Sequence, residues 1–209
     1  MVMSGLRDLK KERTRQALSD AAIALFLARG FDRVSVADVA AAAEVSKPTL
    51  FRYFDSKEDL VLHRAADHFG EAARVVRDRA PDQTPISALH QHFQRGLDER
   101  APTTGLCDAP DVLAYHRLVF DTPGIAVRLR ELTAEDTASL GEALRAAAPD
   151  DLMSRLVAAQ YAVVREILAR ENWAKLASGR TATDVHPEAA AAADAAFGLL
   201  ARGGAPHGY

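Results

Sequence analysis

The sequence holds one cysteine, Cys107. An internal disulfide and any multi-cysteine metal site are therefore excluded, and a reducing compartment is expected. Long apolar runs are missing too. The longest, from Ala21 to Ala28, has eight residues, far short of the roughly 20 that span a bilayer. The N-terminus shows no apolar segment behind a positive start, so no cleaved leader is expected and a cytoplasmic location is. No stretch alternates clearly with period two and β-branched runs are lacking, which argues against strands. There is no phosphate loop, nucleophile elbow or spaced pair of catalytic carboxylates. An all-α enzyme is thus a distant reading. Of His63, His68, His90, His92 and His116, His90 and His92 stand two apart and do not share a helix face, and no i, i+4 pair of histidine and carboxylate stands out. No metal and no cofactor are expected.

Charge of one sign is also absent overall, with a net −3, but its distribution is uneven. Residues 1–64 carry 11 Lys/Arg against 9 Asp/Glu, whereas residues 65–209 carry 15 against 20. Arg7, Lys10, Lys11, Arg13 and Arg15 crowd the front end. Such a cluster suits phosphates, and it equally suits a solvated helix start.

What the chain has in abundance is alanine, 42 residues, the best helix former. Apolar positions recur at helical spacing throughout, so the fold class is all-α, with nine helices expected. They lie near 10–29, 36–43, 47–54, 56–79, 85–100, 108–120, 124–147, 150–177 and 187–202, separated by Gly, Pro and capping residues. Residues 1–55 read as one domain and 56–202 as another, with 203–209 a disordered tail.

The second and third helices are short and joined tightly, a helix-turn-helix. On a 100° wheel, Leu50 and Phe54 point one way, and Pro48, Thr49, Phe51 and Arg52 crowd the opposite side. Hydroxyl, guanidinium and aromatic groups on one face suit a helix reading a major groove. The spacing also fits a helical hairpin of an ordinary bundle.

The residues Thr14-Arg15, Ala21-Ala22, Leu25-Phe26, Gly30-Phe31, Val34-Ser35-Val36, Val39-Ala40, Val45 through Phe54 and Ser56 through Leu60 closely resemble the N-terminal DNA-binding domain of TetR-type transcriptional repressors. The resemblance covers under a quarter of the chain. It implies a homodimer on a pseudo-palindromic double-stranded operator, released by a small-molecule inducer. It assigns Lys47 and Thr49 to base edges or nearby phosphates, and Phe51 and Tyr53 to phosphate-contacting aromatic positions. Ser35 and Lys57 fall at positions near backbone phosphate; Ser46 and Pro48 open the recognition helix. Arg52 is added from the wheel, because its guanidinium can reach guanine or phosphate. Three departures stand out: Phe51 replaces the usual Tyr, Glu44 replaces the usual Gly of the turn, and Ala37 replaces an Arg that some members use for base contact. A DNA-bound structural or division-control protein of the same fold, without an inducer, is the alternative.

In the C-terminal half the resemblance implies ligand binding and dimerisation through the last two long helices. Leu152, Leu156, Ala159, Val163, Ile167 and Leu168 form an apolar stripe, and the last helix is rich in small residues; each also fits packing inside one chain. Phe69, Phe93, Tyr115, His116, Phe120, Tyr161, Arg165 and Trp173 are the ligand-pocket candidates, each of which singly also fits ordinary core or surface. Tyr161 and Arg165 stand one turn apart. Cys107 reads as incidental.

Overall fold

The computed structural model describes residues 2–148 and 150–209, with side chains from Leu9 onward. Arg7 of the basic cluster therefore lies outside the described side chains, as does Pro149, expected to break the helices. Among the described residues every regular element is helical: α1 (Val2–Arg29), α2 (Val36–Ala42), α3 (Lys47–Phe51), α4 (Lys57–Leu62), α5 (Glu71–Asp78), α6 (Pro85–Asp98), α7 (Pro110–Asp121), α8 (Pro123–Ala147), α9 (Asp151–Ala177) and α10 (Ala182–Gly204), with four short 3-10 turns. Taking 57–78 as one interrupted path, these are the nine expected helices. The interruption has a local cause. After α4 the chain tightens into a 3-10 stretch, His63–His68, and Gly70 adopts φ 75°, a left-handed conformation that no helix accommodates.

The chain forms two compact units, Met1–Asp67 with Ala114–Glu131, and His68–Leu113 with Leu132–Tyr209. They differ from the expected division at residue 55, because α4 and the α7–α8 corner belong with the front of the chain. In the first unit Leu18, Ala22, Ile23 and Phe26 of α1 bury against Val39, Leu50, Phe54 and Leu60. Each large side chain contributes about 1.5–3 kcal/mol on leaving water. Ser19, fully buried, donates to the Leu60 carbonyl at 2.7 Å and so ties α1 to α4 without leaving a polar group unpaired. Tyr115, Leu118, Val119 and Ile125, from this unit's second stretch of chain, are buried as well.

The second unit buries Leu89, Phe93 and Leu97 of α6 with Leu140 and Leu144 of α8, Tyr161 of α9 and Phe197 of α10. Gly105 is required where the chain crosses α9: a Cβ there would lie 1.9 Å from the Ala169 carbonyl oxygen. The last helix begins five residues earlier than expected. Thr181 caps it by accepting from the Asp184 N–H, Asp108 accepts from the Ala182 N–H at 2.8 Å, and Ala182 and Val185 are buried. These contacts carry the helix through Pro187 despite its missing donor.

Residues 203–209, expected to be a disordered tail, are folded. α10 runs to Gly204, a 3-10 turn follows, and Tyr209 is buried with its hydroxyl at 2.7 Å from the Ser154 hydroxyl and donating to the Ala148 carbonyl at 2.9 Å. An aromatic ring with a satisfied phenol offsets the entropy that a Gly-rich end would otherwise retain.

Candidate nucleic-acid interface

Ser35 opens α2 with a reciprocal capping box. Its hydroxyl accepts from the Asp38 N–H at 3.2 Å, while the Asp38 carboxylate accepts from the Ser35 N–H at 2.8 Å and from its hydroxyl at 2.6 Å. These bonds, the hydroxyl's first, hold the Asp38 carboxyl below its ordinary pKa. The helix ends in a Schellman motif: the Val45 N–H reaches the Ala40 carbonyl at 2.9 Å and the Glu44 N–H the Ala41 carbonyl at 3.1 Å. Glu44 takes the left-handed position at φ 55°. A side chain there costs roughly 1–2 kcal/mol, so the departure from glycine noted in the sequence leaves the turn formed but strained.

Ser46 caps α3, accepting from the Thr49 N–H at 3.2 Å and sharing a 2.8 Å hydrogen bond with the Thr49 hydroxyl. Leu50 and Phe54 are buried, whereas Lys47, Pro48, Phe51 and Arg52 are exposed and Thr49 half-exposed. The wheel's two faces are thus the inner and outer faces of the element. The helix ends at Phe51, three residues before the expected end at Phe54, where the Tyr53 and Phe54 amides both fall back on the Leu50 carbonyl. Phe51 is 45% exposed, a large apolar cost for a soluble surface, and the Lys47 ammonium lies 5.8 Å from its ring centroid. Tyr53 is half-buried, with Arg15 donating to its carbonyl at 3.3 Å and lying 5.7 Å from the Phe54 ring. Arg15 belongs to the basic cluster and to the residues that carry the family resemblance, but its contact spans 38 residues and has no local sequence signal.

Lys57 sits differently from the other candidates. Its half-buried side chain donates to the Phe31 carbonyl and holds the ammonium 4.0 Å from the Phe31 ring and 5.2 Å from that of Phe26. Two residues on, Asp59 accepts from Arg128 at 2.8 Å, an ion pair between α4 and the first turns of α8, with Glu131 on the same guanidinium at 2.9 Å. These hydrogen bonds, Asp59's first, raise the Arg128 pKa. A separation of 69 residues hides the pair from any sequence pattern.

Residues 18–63 match the family described as bacterial regulatory proteins, tetR family. The HTH-type transcriptional regulator TcmR of Streptomyces glaucescens is 32% identical over 174 residues, 80% of this chain and 76% of that protein. The chain belongs to the TetR family. It is accordingly a DNA-binding transcriptional regulator. The nucleoid occlusion factor SlmA of Pasteurella multocida is 29% identical over 125 residues, 58% of this chain and 60% of that one. Among solved structures, native NalD, the secondary repressor of the MexAB-OprM multidrug efflux pump in Pseudomonas aeruginosa, shares the fold with a TM-score of 0.57 at 15% identity, covering 93% of this chain and 96% of its own.

The ligand-pocket candidates of this TetR-family chain fall in two units. Tyr115, His116 and Phe120 belong to the first. There the Tyr115 hydroxyl donates to the Val61 carbonyl at 3.1 Å under the Arg64 guanidinium, 5.3 Å from its ring, and burial pushes its pKa up to about 12. Burial lowers the pKa of His116, whose ring stands 5.8 Å from that of Phe120. Phe69, Phe93, Tyr161, Arg165 and Trp173 belong to the second unit. Phe93 and Tyr161 both meet Phe197, at 5.8 and 6.1 Å between ring centroids, while Phe69, Arg165 and Trp173 are half-buried. His90 and His92 diverge as expected, to Asp194 at 2.9 Å and Glu71 at 3.4 Å. Among the described residues no group of three ligating side chains is placed to hold a metal ion, and no helix is long and apolar enough to cross a membrane.

Proposed function

We propose that the protein is a homodimeric repressor that holds a pseudo-palindromic operator and leaves it when a small molecule occupies the second unit. The exposed outer face of α3 carries this reading. Lys47, Thr49, Phe51 and Arg52 stand out from a helix anchored only by Leu50, so their side chains are available to bases and phosphates. Ser35, Ser46, Pro48 and Tyr53 flank them as phosphate-side positions, whereas Lys57, expected beside phosphate, has its ammonium engaged by Phe31. Support for the dimer comes from Leu152, Leu156, Val163 and Ile167 of α9 and Leu199 of α10, all 42% exposed or more and spaced along helix faces. A monomer in water rarely leaves such a stripe uncovered. Two-fold symmetry of the protein then requires two half-sites about one helical turn apart, or a multiple of it.

Footprinting on DNA upstream of its own gene tests this. Two protected half-sites in successive major grooves are the expected result, and protection of a single asymmetric half-site overturns the dimeric reading. The match to a nucleoid occlusion factor supports a second reading, a DNA-bound protein without an inducer. Metabolites that stabilise the fold yet never release DNA favour that alternative.

A further inference from the structure

α3 is five residues long, too short to be a stable helix by itself. Its direction is therefore set by what grips it. Leu50 and Phe54 bury into the first unit. Among the described residues, one side-chain hydrogen bond reaches residues 46–54 from another helix: Arg15 of α1 donates to the Tyr53 carbonyl at 3.3 Å. That carbonyl is one of the groups left without an intrahelical donor as the chain leaves α3. The same guanidinium lies 5.7 Å from the Phe54 ring centroid. Phe54 also meets His63 edge-on, 5.4 Å between centroids, and His63 pairs with Glu12 at 3.2 Å. Glu12 and Arg15 stand about one turn apart on α1, so α1 holds the end of the recognition element at two points. For folding alone the arginine gains little. It is half-buried, its Nε is buried without a hydrogen-bond partner, and a desolvated donor left unpaired costs about as much as one hydrogen bond returns. What a guanidinium adds over an apolar stem is direction: its planar donors have a fixed geometry, so the carbonyl and the ring are located together.

We infer that Arg15 is a positioning residue for sequence reading: by holding the Tyr53 carbonyl and the Phe54 ring it sets the angle at which α3 presents Thr49 and Arg52 to base edges, without itself touching DNA. This role rests on the reading of the outer face of α3 as the DNA surface, and it adds a residue that the resemblance does not place there. Base readout depends on donor and acceptor geometry, whereas attraction to phosphates tolerates small displacements. A loosened α3 therefore loses discrimination between sequences before it loses affinity for DNA in general.

The test uses the full-length protein and two duplexes, one enriched by the wild type from a random pool and a scrambled one of the same composition, titrated at several salt concentrations. Arg15→Met keeps an unbranched stem beside Phe54 and removes the fork. It should cut the preference for the enriched duplex about tenfold, the equivalent of one well-placed base contact, and leave binding of the scrambled duplex unchanged. Its salt slope should match the wild type, because no phosphate loses a cation. Its melting temperature should stay close to wild type, because the change also removes the unpartnered Nε. Arg15→Lys, which can still donate to the carbonyl, should recover most of the preference. Ser19→Ala, which cuts the buried tie from α1 to the Leu60 carbonyl, should lower the melting temperature and keep the preference. A preference that survives Arg15→Met overturns the inference; if Thr49→Ala loses it in the same assay, the reading of α3 still stands, and if the wild type enriches no sequence, both fall. A salt slope shallower by about one unit in Arg15→Met makes the residue a phosphate contact instead. An unfolded Arg15→Met, or an equal loss of preference in Ser19→Ala, makes the effect one of stability. Each of these results also overturns the inference.

Discussion

Glu44 is the clearest case of a residue at odds with its backbone. It occupies a left-handed position that glycine adopts freely, and the Schellman bonds on either side hold it there. Glu44→Gly should stabilise the protein by about 1 kcal/mol, the relieved strain less the extra freedom glycine brings to the unfolded chain. Denaturant melts compare the two, and a less stable glycine variant refutes the strain account. The position was legible because the resembled family usually has glycine in this turn. Lys57 was not legible in the same way. A lysine at a helix start suits a phosphate, but the ammonium here is held over Phe31 and on its carbonyl, 26 residues earlier in the chain. Lys57→Ala should lower stability by about 1 kcal/mol through the lost cation–π contact and hydrogen bond. Lys47→Ala, at an exposed site, should leave stability within about 0.5 kcal/mol and flatten the salt dependence of DNA binding by about one unit of slope. Equal stability losses in the two variants would contradict this division of roles.

At the scale of elements, periodicity located every helix, and punctuation set the ends less well. The apolar spacing through 56–79 is unbroken, so nothing in the pattern announced the 3-10 stretch before Gly70. Pro187 suggested a helix start, whereas the Thr181 cap and the burial of Ala182 and Val185 begin α10 earlier; burial is a tertiary fact that no local motif reports. The turn between α9 and α10 is closed by Glu188, which accepts from Arg180 at 2.7 Å and from Lys175 at 3.1 Å. Those bonds, the arginine's first, depress its pKa to about 2 from 4.5. Because the folded value is the lower one, the pair's contribution is present above about pH 4.5 and is lost as pH falls toward 2. Acid titration of wild type and Glu188→Gln should therefore show an extra loss of stability in that window for wild type alone. Parallel pH profiles would mean that the exposed network contributes nothing measurable, as many surface pairs do not.

For the whole molecule, the uncovered apolar stripe is the feature with the largest consequence. Ile167 and Val163 are 56% and 54% exposed in the C-terminal half of the stripe. Ile167→Glu would place a charge on both copies of a self-complementary contact, where like charges meet across the two-fold axis. Sedimentation should then report a monomer, and operator affinity should fall by at least tenfold because each copy must find its half-site alone. A variant that stays dimeric shows that the stripe packs elsewhere. Dimerisation through this face was expected from the family resemblance, and the apolar spacing of α9 was visible in the sequence. The pairing of Glu71 with His92 was not, since the two residues come from different helices.

The front unit is built from two separate pieces of chain, with Ala114–Glu131 returning to join Met1–Asp67. Anyone grafting this DNA-reading head onto another regulator would cut first near residue 67, as the linear order invites. Such a graft would discard Tyr115, Leu118, Val119 and Ile125, all buried, together with the Arg128 partner of Asp59. The donor head would arrive with an open seam, and the recipient's own α7–α8 corner would have to fit it by chance. This head should be exchangeable only as a pair of segments, so a hybrid made by a single crossover should rarely work.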